Sequence, residues 1–422
     1  MTNTPVDRRD AVINLRLLWT GQLVSQIGSE VTKLALPLYA LSVLHATSGE
    51  VGLLRAAALA PVLVAMPLIG VWIDRLRRKP VLLAANAAQA FVLSLLVVTT
   101  FGEGPGLAVL VCGVAVLGVL GQFGEVAYPS LVPAVVGDGN LSHANGRLFV
   151  AQSIAESAGP GIAGLLLARL GLGWVLVLDA LSFLVAIWTL LRIRVVETVR
   201  AQAKRDMKRE ILVGIQVIAT HPLLRATVST AAVYNVLDSA ATTVFLVYAA
   251  RDLGMTVTQI GVVLGFGSVG AILGSFLSAK ISSALGVGRA MSLMQTAGTI
   301  LPLALIIPGD ASLSSIVLCT TVFVIWCFSI AVYSVQALSI RQAATPQHLL
   351  GRVMAGSWIF VLGAIPIGAL LGGAAGSAWG TDTALTVFLC ALPISLVILL
   401  LSPVPRLREL PTPDEEFWRR HA

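Results

Sequence analysis

The chain has 422 residues, 57% of them hydrophobic and 12% charged, with a formal net charge of +7. A soluble domain carries about 25% charged residues, so a water-facing surface is excluded over most of this chain and the bilayer is its solvent. The excess of cations suggests nucleic acid only until their positions are read, because they crowd into loops on one side of a series of apolar segments.

A membrane-crossing helix needs about 20 mostly apolar residues. Twelve stretches meet that need, at roughly 14–44, 51–73, 80–101, 106–130, 145–168, 173–191, 223–249, 257–279, 290–308, 312–337, 352–376 and 382–402. No barrel-type alternation is present, and helices satisfy the backbone in lipid. The expected fold class is an all-α integral membrane protein with twelve transmembrane helices in two pseudo-symmetric six-helix halves. The expected divisions are an N-terminal half at 1–191, a linker at 192–222, a C-terminal half at 223–402 and a tail at 403–422. The first apolar segment is too long for a signal peptide and lacks a cleavage site, so it reads as a retained helix.

In span 1, Gln22, Gln26, Glu30 and Lys33 recur on one helical face. That face is expected to line a wet cavity. Glu30, near mid-span, is a candidate proton or cationic-substrate site, and its alternative is a structural pair with Lys33. Arg55 begins span 2 and is expected to snorkel. Gly70, Asp74, Arg75, Arg77, Arg78 and Lys79 form a short hinge between spans 2 and 3, with four cations and one acid. Glu125 in span 4 follows Gln122 toward the cytoplasmic end; it is a candidate proton- or substrate-coupling acid, and its alternative is a pair with loop cations. Glu156 shares a face of span 5 with Gln152, just before Gly159 and Pro160, and is a further candidate coupling acid. The linker places Met207, Ile211, Leu212, Ile215 and Ile218 at helical spacing among cations, which suits an amphipathic helix lying on the inner membrane surface. In span 7, Asp238 is flanked by Asn235 and Thr242 and is a candidate cavity acid.

Of the 28 Lys and Arg residues, 24 lie in loops or at span ends on one side, only Arg169 and Arg251 lie on the second side, and Lys33 and Arg55 remain inside spans. This asymmetry predicts two cytoplasmic termini and an even number of spans in a multi-pass plasma-membrane protein. A shift of 209 residues puts Tyr39 on Tyr248, Gly52 on Gly261, and Glu30 on Ser239 beside Asp238. A shift of 205 puts Gly146 and Arg147 on Gly351 and Arg352. Such halves place a substrate site near the midplane.

The Gly70–Lys79 stretch resembles the loop 2–3 signature of the major facilitator superfamily, with Gly70, Asp74, Arg75, Arg78 and Lys79 matching and Arg77 standing where that family has glycine. The resemblance implies that this stretch is a gate latch, with Asp74 facing Arg78 or a helix N-terminus. Gly146, Gly159, Pro160 and Gly164 resemble the span-5 antiporter motif of drug-exporting members, with Ala155 and Ala163 replacing glycines. Small residues there let helices approach, and Pro160 can kink the span. Leu178–Phe183 in span 6 and Ser25–Glu30 in span 1 resemble macrolide-efflux and enterobactin-exporter relatives, a context in which Asp179 reads as a packing residue. These likenesses imply export of a small molecule coupled to proton entry.

Cys112, Cys319, Cys327 and Cys390 all lie in apolar segments without metal-ligand spacing. No nucleotide-binding loop, H-E-x-x-H or G-x-S-x-G pattern occurs, so the expectation is no enzyme, no cofactor and no metal. The expected partners are a small-molecule substrate, protons and membrane lipids, with no nucleic acid, and the expected state is a monomer. The competing readings are an importer of a small nutrient and a non-transporting membrane scaffold or sensor.

Overall fold

The computed structural model describes residues 8–102, 104–136, 141–193, 195 and 207–413. Among them every regular element is helical: α1 (Arg8–Ser42), α2 (Ser48–Arg75), α3 (Arg78–Phe101), α4 (Leu107–Val136), α5 (Leu141–Arg192), α6 (Met207–Thr220), α7 (Pro222–Arg251), α8 (Val257–Leu285), α9 (Val287–Ile300), α10 (Leu313–Ala344), α11 (Gln347–Trp379), α12 (Thr381–Ala391) and α13 (Pro393–Leu400). Each of the twelve expected segments lies on helix along nearly its whole length. Eight stretches among the described residues are long and apolar enough to cross a membrane.

Expected spans 5 and 6 run end to end as α5. The break falls at Gly171 (φ 77°, ψ 168°), while the backbone stays helical through Pro160. That conformation is essentially restricted to glycine. Gly380 (φ 83°, ψ 158°) makes the same junction between α11 and α12.

The chain divides into two compact units, one up to His45 with Ala57–Ala203, the other Ala46–Ala56 with Lys204 onward. In the first, α1 packs along α5, and α3 packs on α4 and α5. One apolar cluster in it joins Leu15, Leu18, Ile69, Leu82, Leu131 and Leu190. In the second, α7 packs on α11 and α8 on α10. Between apolar helices in lipid, close packing stabilises more than exclusion of water. The seams show this: a Cβ on Gly270 would lie 2.0 Å from the Val324 carbonyl oxygen, and one on Gly118 2.2 Å from that of Ala58. The lipid-facing surface keeps large apolar side chains such as Phe91, Val98, Phe276 and Ile307 exposed.

The amphipathic helix forms as α6, and part of its apolar face meets protein, while Leu212 stays 64% exposed. Val217 and Ile218 are buried with Leu224, Val228, Leu349 and Val353. Gly214 lets α6 approach so near to α11 that a Cβ there would sit 2.1 Å from the Arg352 carbonyl oxygen. Before α10, the Ser312 hydroxyl, the Ser312 N–H and the Ser315 hydroxyl surround Asp310 and hold its carboxyl below the usual carboxylate range.

Candidate functional site

Two polar constellations lie within otherwise apolar helices, one in each unit. The first is built on α1. Glu30 and Lys33, three residues apart, form an ion pair. The Lys33 side chain is 65% exposed and that of Glu30 22%. Glu125 of α4 and Glu156 of α5 both act electrostatically on Lys33. One cation thus stands among three carboxylates.

What sets Glu30 there is the α1–α5 seam. A Cβ on Gly159 would lie 2.5 Å from Glu30 Cβ, so glycine at 159 is what lets α1 pass at this level. Pro160 follows Gly159 inside α5, and Gly164, one turn on, is buried. Two residues on from Glu30, Thr32 donates to Asp179 Oδ2, and the Ser182 hydroxyl bonds Asp179 Oδ1 at 3.2 Å. Asp179 is 2% exposed, a hydrogen-bonded key between α1 and α5.

The second constellation is built on α7. The Tyr234 hydroxyl donates to Asp238 Oδ1 at 3.3 Å, and Trp326 Nε1 of α10 donates to the Tyr234 oxygen. Arg55 of α2 is the cation acting on Asp238. Asp238 is half-buried.

Several expectations are corrected here. Glu125, among the described residues, lies beside Gln26 and belongs to the Lys33 group. Gln22 is buried, with an unpartnered Oε1, and so lines packed protein more than open space. The Gln26 Oε1 is likewise buried without a partner. Asn235 spends its amide on the helix seam, donating to the Val361 carbonyl of α11 at 2.8 Å. Arg55 does not snorkel; its Nη1 is buried. Lys79 of the loop 2–3 stretch donates to the Ile193 carbonyl at 2.7 Å, tying the start of α3 to the end of α5. Arg78 is half-buried. The side chains of Asp74 and Arg75, the surroundings of Gly70 and Gly146, and the side chain of Gln152 lie outside the described residues, and with them the latch contact.

The sequence reading missed Tyr234, Trp326 and the Arg55 charge as parts of the Asp238 site. Tyr234 was findable, since i and i+4 on a helix are neighbours. Trp326 carries no local signal, because its role depends on how α10 packs.

A basic loop between two apolar helices, a glycine seam seating an intramembrane acid, and a second acid in the other unit are features of a helical transporter. The family model described as Major Facilitator Superfamily matches residues 18–360. The chain belongs to the Major Facilitator Superfamily. It is a multi-pass membrane protein and a secondary transporter of a small-molecule substrate, and the family are not enzymes. It is 27% identical over 408 residues to the multidrug efflux pump Tap of Mycolicibacterium fortuitum, covering 94% of this chain and 97% of that one. It is 25% identical over 382 residues to the enterobactin exporter EntS of Salmonella typhimurium, covering 87% and 89%. Among solved structures, the nucleoside transporter NupG aligns with a TM-score of 0.72 at 12% identity, covering 92% of this chain and 98% of that one. A bacterial homologue of the iron transporter ferroportin, in its inward-facing state, aligns with a TM-score of 0.71 at 18% identity and the same coverage. At such identities the structural likeness concerns the fold alone.

Proposed function

We propose that this major facilitator protein is a proton-coupled exporter of a small amphipathic molecule, working by alternating access as a monomer in the plasma membrane with both termini cytoplasmic. The observation that carries the reading is Glu30, seated against Gly159, paired to an exposed Lys33 and grouped with Glu125 and Glu156. A carboxylate that faces water inside an apolar helix can hold a proton or a cationic group of the substrate, one at a time. Glu30 and Asp238 are read as the exchanging acids. Gln22, Gln26, Lys33, Gln152 and Asn235 are read as their polar surroundings. Gly70, Asp74, Arg75 and Arg78 are read as the cytoplasmic latch, and Gly146, Gly159, Pro160 and Gly164 as the span-5 motif. The efflux pump and exporter among its relatives support the direction of transport.

The test is efflux from energised cells or inverted vesicles, screened across antibiotics, dyes and siderophores. Export of one class that stops when the proton gradient is collapsed is expected. Net uptake of every transported compound, or export indifferent to the gradient, overturns the reading.

A further inference from the structure

Arg55 lies seven residues into α2, in the short stretch Ala46–Ala56 that packs as part of the second unit. That stretch is held by main-chain contacts. Arg251 Nη2 donates to the Ala46 carbonyl at 2.7 Å, and the Gly49 N–H donates to Ser377 Oγ at 2.8 Å. A Cβ on Gly52 would lie 2.5 Å from the Ala369 carbonyl oxygen and 2.9 Å from Gly373 Cα, so α2 and α11 nearly touch backbone to backbone. Ser48 is left 4% exposed in this seam.

Next to that seam Arg55 Nη1 is buried and has no hydrogen-bond partner. The charge that acts on it is the carboxylate of Asp238. Asp238 in turn is faced by Arg55 from α2, Tyr234 on its own helix and the Cys327 thiol from α10. Arg55 is the cation of this group. A guanidinium held away from water is costly unless an opposite charge answers it, and removing the partner of a buried pair strongly destabilises the arrangement. A lone arginine near a helix end has a way out, which is to carry its charge back to water. Here that means releasing the seam.

We propose that Arg55 is a positioning residue that makes closure of the Ala46–Ala56 seam conditional on the charge of Asp238. This rests on the reading above that Asp238 exchanges a charge during transport and that this end of α2 faces outward. The ionised carboxylate holds Arg55 and the seam stays shut. A neutralised carboxylate leaves Arg55 uncompensated and the seam opens. The Gly49, Gly52 and Ser377 contacts supply the shape of the closure, and Arg55 supplies its dependence on the transport site.

The test reads accessibility, without substrate or gradient, in the full chain. Ser48→Cys places a thiol in the closed seam, and its alkylation by a membrane-impermeant maleimide is measured above that of the chain with only its native cysteines. Asp238→Asn should raise the Ser48→Cys labelling rate several-fold, and Asp238→Glu should not. With Arg55→Ala in the background, Asp238→Asn should have no further effect on that rate. An unchanged rate in Asp238→Asn, or an equal rise with and without Arg55, overturns the proposal. Should Asp238→Asn not reach the membrane, Arg55→Glu sets like charges together and must label several-fold faster than Arg55→Ala; equal rates overturn the proposal too. Normal efflux by Asp238→Asn would sink the coupling assignment alone, since the labelling rates answer a separate question.

Discussion

The two halves of the chain repeat one another in local geometry and differ in where they place charge. Gly171 and Gly380, 209 residues apart, join successive helices in the same glycine conformation. At the same spacing His45 and Gly254 both have positive φ. Thr47 with Glu50 and Thr256 with Gln259, again 209 apart, make equivalent side-chain caps at the starts of α2 and α8. The same interval relates Gly159 to Gly368, and each presses against the residue equivalent to the other's contact: a Cβ on Gly159 would meet Glu30 Cβ at 2.5 Å, and one on Gly368 would meet Ser239 Cβ at 2.9 Å. The acid has moved. In the first half it sits on the seam, and in the second it is the preceding residue, Asp238, turned by about 100° round the helix. The repeat therefore conserves the way helices meet while letting each half present its carboxylate to different neighbours. Glu30 answers to an exposed lysine on its own helix. Asp238 answers to a tyrosine on its own helix and an arginine from α2 whose Nη1 is buried.

The largest test of this difference is to neutralise each acid. Glu30→Gln and Asp238→Asn should each cut uphill efflux by about tenfold or more, the ratio that ~1.4 kcal/mol supplies, with folded protein retained in the membrane. Their downhill counterflow should separate them. Glu30→Gln breaks the ion pair and leaves Lys33 only Glu125 and Glu156 as acidic neighbours, and the loss of one negative charge should weaken binding of cationic substrates, read as a raised half-saturating concentration. Asp238→Asn should alter outward accessibility instead. Identical phenotypes in both assays would break the comparison.

A smaller effect is expected from the seams. Gly159→Ala and Gly368→Ala both insert a methyl where none fits, and overpacking of this kind costs about 1–3 kcal/mol. Gly368→Ala should be the worse, because its new Cβ would meet a main-chain carbonyl at 2.1 Å. Thermal unfolding followed by fluorescence in detergent would rank them, and a more stable Gly368→Ala would show that α7 and α11 can part without loss. The polar key on the first seam has no equal on the second: at the 209-residue interval Thr32 and Asp179 give way to Ala241 and Phe388. Asp179→Ala should leave the Thr32 hydroxyl buried and unpaired, at a cost of about 1–3 kcal/mol. No fall in unfolding temperature would mean that water replaces the carboxylate.

Much of this was legible in the residues. Apolar runs fixed by bilayer thickness located the helices, since that signal is long and depends on no partner. Glu30 stood out because a carboxylate in an apolar run has few bland explanations. Tyr39 and Tyr248 gave the repeat interval that the backbone then carries at Gly171 and Gly380. What was not legible depends on packing. The close approach of α2 to α11 beside Arg55 depends on glycines at 52 and 373, which are far apart in the chain and unremarkable alone. Glu125 was assigned by its distance from a helix end, whereas the rotation of α4 turns it toward Lys33. The amphipathic pattern of α6 could not say whether lipid or α11 would cover it. Hydrophobic periodicity reports that a face is buried and is silent on what buries it.

The smallest expected effect concerns the caps, where the halves should behave alike. The Thr47 N–H donates to Glu50 at 2.7 Å and the Glu50 N–H to the Thr47 hydroxyl at 3.3 Å. The Thr256 N–H donates to Gln259 at 2.7 Å and the Gln259 N–H to the Thr256 hydroxyl at 3.3 Å. Replacing such a cap by alanine costs about 0.5–2 kcal/mol. Thr47→Ala and Thr256→Ala should therefore lower the unfolding temperature by similar small amounts. They should differ in one respect. Thr47 begins the helix that carries Ser48 and Arg55 into the seam, and fraying of that first turn loosens both. Thr256 begins a helix with no such task. Faster labelling of Ser48→Cys in Thr47→Ala, and an unchanged rate in Thr256→Ala, would place the asymmetry in the seam and its charge. Equal rates in the two would mean that the seam is held by the glycine contacts alone, and that the first turn of α2 is a helix start like any other.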